Sequence, residues 1–404
     1  MNKAKMITVF AAAALLMFIS GTGSRAEVTA EKQEYRGRVT EITWKDENGT
    51  VTAGPNGYAS VRYEYEYQKV TEKYYDAEGF PYAVEGGYYG KSVTRDSRDM
   101  LSLVDYLGID GKLTMTEMGY ARISYQFFTF GAERTVVFHG ANGRAVMVPA
   151  LGYSQVENQY SGKTLTARIY MDERGNKVDL PAGYAVMKQR LNKGGRVIKI
   201  SYEHADGTPA AGPDGWSWST IERDADQRIT KIEYFDTNGN QTVQEGCARE
   251  EYQYSKDGLV TMTRFDLQGN RIFFGGTAVS VQRKMKNDQI LEETYLNEAG
   301  EPASLPAGYA TAVYTYNAAG QLELTQYKDA AGQKVRCSQG YSAVRQIWDV
   351  EGRLIQKSYL DENGQAVNHN STGISEERYE YDEEGRMTGV RTYDAAGKPV
   401  VGDQ

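Results

Sequence analysis

The stretch YNAAGQLELTQYKDAAG, Tyr316–Gly332, contains the pattern that decides the fold. Two turn sequences, each with an aromatic residue, an Asp or Asn and then a Gly, enclose a segment in which polar and apolar residues alternate. Alternation with a period of two is typical of a β-strand with two distinct faces. Asp or Asn can fold back onto the backbone, and Gly accepts the left-handed conformation that closes a short hairpin. The stretch therefore predicts a turn, a strand and a second turn.

The second of these turns recurs along the chain with a nearly fixed spacing. Its last residue is a glycine that returns after 30 to 33 residues, at Gly49, Gly79, Gly111, Gly143, Gly175, Gly207, Gly239, Gly269, Gly300, Gly332, Gly364 and Gly397. We call it the closing turn, and the turn that ends at Gly320 the middle turn. Seven to nine residues after most closing glycines comes a third landmark, GYA or GYS, as at Gly183-Tyr184-Ala185. Such a period indicates one supersecondary unit copied in tandem.

Two strand-length runs per copy predict an antiparallel meander. Open twisted sheets rarely exceed about ten strands without curling or splitting, and roughly two dozen strands are expected here. We therefore expect an all-β chain of tandem antiparallel β-hairpin repeats, about 32 residues each, that form an extended curled or superhelical sheet. Aliphatic residues such as Leu322 follow the middle turn at the second place, and tyrosines such as Tyr327 at the seventh. Because even and odd strand positions point opposite ways, we also expect an aliphatic face and a tyrosine-rich face.

The copies differ in regularity, but no Pro/Ser-rich linker divides them. We expect one repeat domain over residues 27–404, regular over about 144–397 and degenerate over about 81–118. The middle turn Arg95–Asp99 has no glycine, and Met100–Val104 is compatible with a short helix. Structural roles in turns are expected for Gly175, Gly207, Gly239, Gly300, Gly332 and Gly364.

The first 26 residues have the features of a secretory signal peptide. Lys3 and Lys5 precede the apolar run Ile7–Ile19, and Ser24-Arg25-Ala26 fits a cleavage site, which predicts a mature start at Glu27. An uncleaved anchor is the alternative, although the run is short for a membrane span. Cleavage removes three of the 46 Lys and Arg residues and none of the 54 Asp and Glu residues, so the formal net charge falls from −8 to −11. This acidic balance argues against a nucleic-acid partner and fits a secreted or cell-surface protein.

The sequences around the middle turns resemble a known repeat. WDVEGRLIQKSYLDENG (Trp348–Gly364) and YDEEGRMTGVRTYDAAG (Tyr381–Gly397) are similar to the YD repeats of RHS-type proteins, with the same ending at Gly352-Arg353-Leu354. The resemblance implies β-hairpins that spiral into a large sheet in secreted or surface-displayed bacterial proteins. RHS proteins are usually much longer and carry a further domain that this chain does not resemble, and the GYA landmark suggests a distinct subclass. Lys73–Gly79 also resembles the aromatic-glycine repeats of bacterial cell-wall-binding modules.

The sequence offers little chemistry that could act on a substrate. We expect no catalytic residue, no cofactor and no metal site. His139 and His204 lie at turn positions, and His369 completes the set of three. Loops such as Asp361–Gly364 offer two or three oxygen ligands, whereas calcium needs six to eight. Cys247 and Cys337 either pair as a disulfide, which an oxidising compartment would allow, or fill the core separately.

The 31 tyrosines are the main candidates for a function. Rings on a rigid sheet either bind a sugar or protein partner or pack copy on copy as a ladder. The candidate binding aromatics are Tyr184, Trp216, Tyr309 and Tyr341. The sequence therefore predicts an exported, non-enzymatic repeat protein with a binding or structural role at the bacterial cell surface. The alternative is a glycan- or cell-wall-binding module that uses exposed tyrosines, and a glycan-active enzyme is a third reading. The partner is unknown: a cell-wall glycan or a protein would fit, nucleic acid would not, and no membrane contact is expected beyond the signal segment.

Overall fold

The computed structural model of the chain describes residues 28–382 and 385–400. Their regular elements are β-strands, and paired strands run antiparallel, which confirms the all-β class and the tandem hairpins. The predicted signal peptide, residues 1–26, lies outside the described residues. Within those residues, no helix is long and apolar enough to cross a membrane.

The strands follow one another along the chain with short turns between them. The first twelve are β1 Thr29–Tyr35, β2 Arg38–Lys45, β3 Ser60–Glu66, β4 Lys69–Tyr75, β5 Gly90–Arg95, β6 Leu101–Leu107, β7 Arg122–Phe127, β8 Glu133–His139, β9 Gln155–Ser161, β10 Thr164–Met171, β11 Val186–Leu191 and β12 Val197–Glu203. The others are β13 Trp218–Arg223, β14 Ile229–Phe235, β15 Gln241–Thr242, β16 Arg249–Tyr254, β17 Leu259–Phe265, β18 Ser280–Lys286, β19 Gln289–Leu296, β20 Thr311–Tyr316, β21 Leu322–Lys328, β22 Ala343–Trp348, β23 Leu354–Leu360, β24 Glu376–Tyr381 and β25 Met387–Tyr393.

The described residues divide into two compact units. The first unit holds residues 28–220 and 235–240, and the second holds residues 221–234 and 241–400. Both are built from the same repeat, in which a hairpin of two long strands is followed by a closing turn and a short return to the next hairpin.

The expectation of separate aliphatic and tyrosine-rich faces is wrong, and the register explains why. In the hairpin of β20 and β21, Ala312 is opposite Tyr327 and Tyr316 is opposite Leu322, with a shift of one residue between Thr315 and Tyr316. This β-bulge places two residues of β21 opposite one of β20. Leu322 and Tyr327 therefore lie on one face of the hairpin. The same shift precedes the facing pairs Leu191–Val197, Trp348–Leu354 and Tyr381–Met387.

The short helix considered for Met100–Val104 is also not formed. Residues from Leu101 onward belong to β6, which pairs with β5 on one side and β7 on the other. Pairing on both sides satisfies the backbone groups that a helix would otherwise have to satisfy. The middle turn closes without glycine because Asp99 adopts a φ of 63°. Asp96 Oδ1 supports it by accepting from the N–H groups of Arg98 and Met100 at 2.8 and 3.0 Å.

The closing turns share one hydrogen-bond pattern. At Asp329, Oδ1 accepts from the N–H groups of Ala331 and Gln333 at 2.9 and 2.8 Å, and the carbonyl accepts from Gly332 N–H at 3.1 Å. This geometry needs a positive φ at the glycine. The six turn glycines named from the sequence have φ values between 79° and 88°.

After each closing turn a return segment runs back over the strands and forms a second layer. In one copy Ala210 N–H donates to the carbonyl of Tyr202 at 3.0 Å, and a Cβ added at Gly212 would collide with the Tyr202 ring. Neighbouring return segments bond to one another, as in Ser338 N–H to Ala307 at 2.8 Å. The core of each unit therefore lies between the strands and the return segments.

A second link joins neighbouring copies at the middle turns. The aromatic residue that begins the turn donates a side-chain hydrogen bond to a backbone carbonyl 25 to 27 residues earlier, in the preceding hairpin. We call these bonds the aromatic clamps. Their donor–acceptor pairs are Tyr65–Val39, Tyr254–Ile229, Tyr316–Ile290, Trp348–Leu322 and Tyr381–Leu354, at 2.8 to 2.9 Å.

Gly332→Val should lower the free energy of unfolding by about 1–3 kcal/mol because a β-branched residue is strained at positive φ. A Cβ at Gly332 would meet no atom within 4 Å, so the loss measures backbone strain alone. Urea unfolding checks it, with Ala330→Val in the same exposed turn as a control that should change stability by less than about 0.5 kcal/mol. Equal stability of Gly332→Val and the parent would contradict the turn assignment.

Tyr316→Phe should cost about 0.5–1.5 kcal/mol because it removes only the hydroxyl that donates to Ile290. Chemical unfolding measures the loss. The matched control is Tyr67→Phe, since Tyr67 is 90% exposed. If both variants unfold like the parent, the clamps do not contribute to stability.

Candidate functional site

The tyrosines of the first unit form one continuous aromatic ladder. Each copy supplies two rings, one from the GYA landmark and one from the residue five places before the closing glycine. Successive centroids lie 4.8 to 6.1 Å apart with tilted or edge-to-face planes, the arrangement that ring quadrupoles favour. The order is Trp44, Tyr58, Tyr74, Tyr88, Tyr106, Tyr120, Phe138, Tyr153, Tyr170, Tyr184, Tyr202 and Trp216.

The second unit has a ladder of the same kind, with centroid separations of 4.4 to 6.3 Å from Phe274 to Tyr359. Its members are Phe274, Tyr295, Tyr309, Tyr327, Tyr341 and Tyr359. His369 packs against the last two rings, with centroid separations of 5.5 and 5.2 Å.

The four aromatic residues proposed from the sequence as binding residues are all members of these ladders. Tyr184 and Trp216 are buried, with 9% and 5% of their surface exposed. Tyr309 and Tyr341 are half-buried. The structure does not bring the four together at one surface, since each ring packs against a neighbouring ring of its ladder.

In one copy, non-aromatic residues occupy both positions that hold ladder rings elsewhere. Between Gly239 and Gly269 the two ring positions are held by Cys247 and Arg264. Cys247 is buried and its thiol lies 3.1 Å from the carbonyl of Arg249. Cys337 is also buried and free, so the two cysteines fill the core separately and do not pair.

Buried carboxylates accept hydrogen bonds from tyrosine hydroxyls two residues along the same strand. The Glu250–Tyr252 distance is 2.5 Å and the Glu293–Tyr295 distance is 2.7 Å. These two carboxylates are only 3% and 9% exposed, and Glu293 also pairs with Arg283 at 2.5 Å. Because the motif recurs in other copies, as Glu72–Tyr74 and Glu377–Tyr379, it stabilises the repeat.

The histidines make local contacts. His139 Nε2 lies 2.8 Å from Ser124 Oγ and Nδ1 lies 3.1 Å from the carbonyl of Gly143, and burial lowers the pKa of His139. His204 Nδ1 lies 2.9 Å from Asp179. In the part of the chain that the structure describes, no three His, Cys, Asp or Glu side chains are grouped to hold a metal ion.

A second copy, between Gly79 and Gly111, departs from the repeat in a different way. From β3 onward in the described residues, the residue just before the first strand of a hairpin donates its N–H to the carbonyl at the end of that hairpin's second strand. At ten of these positions the residue is Ala, Ser or Val and at most 1% exposed: Ala59, Ala121, Ser154, Ala185, Ser217, Ala248, Val279, Ala310, Ser342 and Ser375. At the eleventh it is Tyr89, which donates to Leu107 at 2.8 Å and is only half-buried.

A groove of about 240 Å³ lies beside this tyrosine. Gly90 is part of its lining and brings β5 so close to β4 that an added Cβ would lie 2.6 Å from the carbonyl oxygen of Glu72. The apolar and aromatic lining residues are the ladder ring Tyr74 together with Tyr75, Pro81, Tyr89, Leu107 and Ile109. Lys73 and Asp110 add one charge of each sign. Most of the lining, from Pro81 to Gly111, falls within the region that the sequence marks as degenerate, where the loss of regularity was the available signal.

No protein-family model matches the chain, and no curated protein matches it. Among solved structures, it is similar to a chain in the crystal structure of TcdB2-TccC3-Cdc42, at 12% identity and a TM-score of 0.29, and to one in that of TcdB2-TccC3-TEV, at 13% and 0.26. Each match covers 90% of this chain, which spans 19% of the length of those chains. TM-scores this low support no argument about function.

The ladder predicts a loss of stability in alkali. Burial raises the pKa of Tyr153 and Tyr202 to about 12, against about 10 in an unfolded chain. The unfolded state therefore loses these protons first, so the stability is complete below pH 10 and is lost as the pH rises towards 12. Urea unfolding and tyrosinate absorbance should show a falling midpoint and fewer ionised tyrosines in the folded protein than in urea. Titration of all tyrosines near pH 10 with the fold intact would contradict the burial.

Proposed function

We propose that the chain is an exported, non-enzymatic repeat protein with a binding or structural role at the bacterial cell surface. The observation that carries the proposal is the continuous packing of rings between strands and return segments, which uses the regularly repeated aromatic residues as internal supports. A tandem array of this kind has a large, rigid surface relative to the size of its core, which is suited to a structural or binding role. The signal-like segment supports export.

The use of the acidic side chains supports a non-enzymatic role. Asp236 Oδ1 accepts from the N–H groups of Asn238 and Asn240, both at 2.9 Å, and its Oδ2 accepts from the Asn240 side chain. Other closing turns repeat this arrangement, so their carboxylates are already engaged by their own backbone. General acid–base catalysis requires a carboxylate directed at a substrate instead.

A glycan-binding role is the second candidate, and one observation favours it. Tyr75 and Tyr89 lie beside a groove and outside the sequence of ladder rings. Ring faces at a groove can stack on sugars, whereas Tyr184 and Trp216 would have to leave the core to do so.

Export can be tested by expressing the full chain in a bacterial host. We expect a mature protein that begins at Glu27 and is digested when intact cells are treated with protease. The control is the double variant Leu15→Lys, Leu16→Lys, which interrupts the apolar run and should leave the protein uncleaved and protected inside the cell. Full-length parent protein in the cytoplasmic fraction would overturn the proposal.

A further inference from the structure

We infer that the groove beside Tyr89 binds one pyranose ring of a glycan. The inference rests on the proposed binding role and gives it a location in the first unit. Its starting point is the repeat itself, because ten equivalent positions hold a small buried residue and, among the described copies, this one alone has a half-buried aromatic ring there. The Tyr89 side chain is not needed for packing, because the other copies pack with a small residue at this position.

The backbone of this copy is adapted to the tyrosine. Gly90 follows Tyr89 and is the first residue of β5, opposite Lys73 on β4 and Leu107 on β6. An added Cβ there would lie 2.6 Å from a backbone oxygen, so only glycine fits without a shift of the strand. Other copies place a larger residue at this position, such as Arg122 or Val186, so the Tyr89-Gly90 pair is specific to this copy.

One aromatic wall of the groove is held in place. The guanidinium of Arg62 lies 4.2 Å from the centroid of the Tyr75 ring, a cation–π contact that fixes the ring. Arg62 is itself paired with Glu41 at 3.0 Å. A fixed ring loses little conformational entropy when a ligand stacks on it, which favours binding.

The chemistry of the lining matches a sugar. A pyranose ring offers C–H groups that pack on aromatic surfaces and hydroxyl groups that both donate and accept. Tyr75 and Tyr89 provide the surfaces, Asp110 an acceptor and Lys73 donors. Lys73 bonds to Glu64 at 2.5 Å, which leaves two of its three N–H groups for a ligand. At about 240 Å³ the groove is smaller than the roughly 300–1,000 Å³ of pockets for drug-sized ligands, so it accommodates one ring.

The test is saturation-transfer NMR with the purified mature protein and three probes, cellotriose, chitotriose and mannotriose. We expect at least one to bind with a dissociation constant of about 1 mM, and Tyr75→Ala and Tyr89→Ala each to weaken it at least about tenfold. Tyr89→Ala installs the residue that equivalent positions hold, so it should fold like the parent. Tyr67→Ala, an exposed tyrosine of the same unit outside the groove, is the control that should leave binding unchanged.

Three results would overturn the inference. One is no binding of any probe up to about 10 mM, ten times the expected constant. Another is undiminished binding by both groove variants, which would place the sugar elsewhere. The third is binding of N-acetyltyrosinamide without any sugar, which would indicate an aromatic peptide ligand. All are measured on purified protein, so failure here leaves the export experiment intact, and failure of export leaves this result intact.

Discussion

The structure depends on the packing of one copy's rings against those of the next. A ring such as Tyr170 has strands below it and neighbours at 5.1 and 6.0 Å, Tyr153 before it and Tyr184 after it in the ladder. No hairpin could bury such a ring alone, because one of these neighbours, Tyr184, belongs to the next copy. The return segment completes the cover, and a glycine is required where it crosses the Tyr202 ring. Stability is therefore a property of neighbouring copies together.

Much of this could be read from the sequence because turns are local. Asp and Gly at fixed places determine a closing turn through bonds within five residues, and each copy repeats them. The strands follow from the alternation between turns. The β-bulge could not be read in this way, because one unpaired residue, Glu323 on β21, leaves no mark on composition but reverses which face Leu322 occupies.

The candidate site illustrates the opposite limit. The sequence pattern points to the most regular tyrosines, and regularity marks those that build the core. The groove lies where the sequence pattern is lost, at Tyr89 and Gly90. From the sequence alone this loss looks like a degenerate copy, and only the backbone structure shows the groove. In tandem repeats the shared residues describe the scaffold, and individual departures are where specific chemistry can be added without disturbing it.

The aromatic clamps have a direction. In every one the donor ring comes later in the chain than the carbonyl that it reaches, as Tyr316 does with Ile290. A polypeptide that emerges amino end first, from a ribosome or a secretion channel, thus presents each new hairpin to an acceptor that already exists. Assembly can then proceed by sequential addition, with no copy waiting for a distant part of the chain to be synthesised.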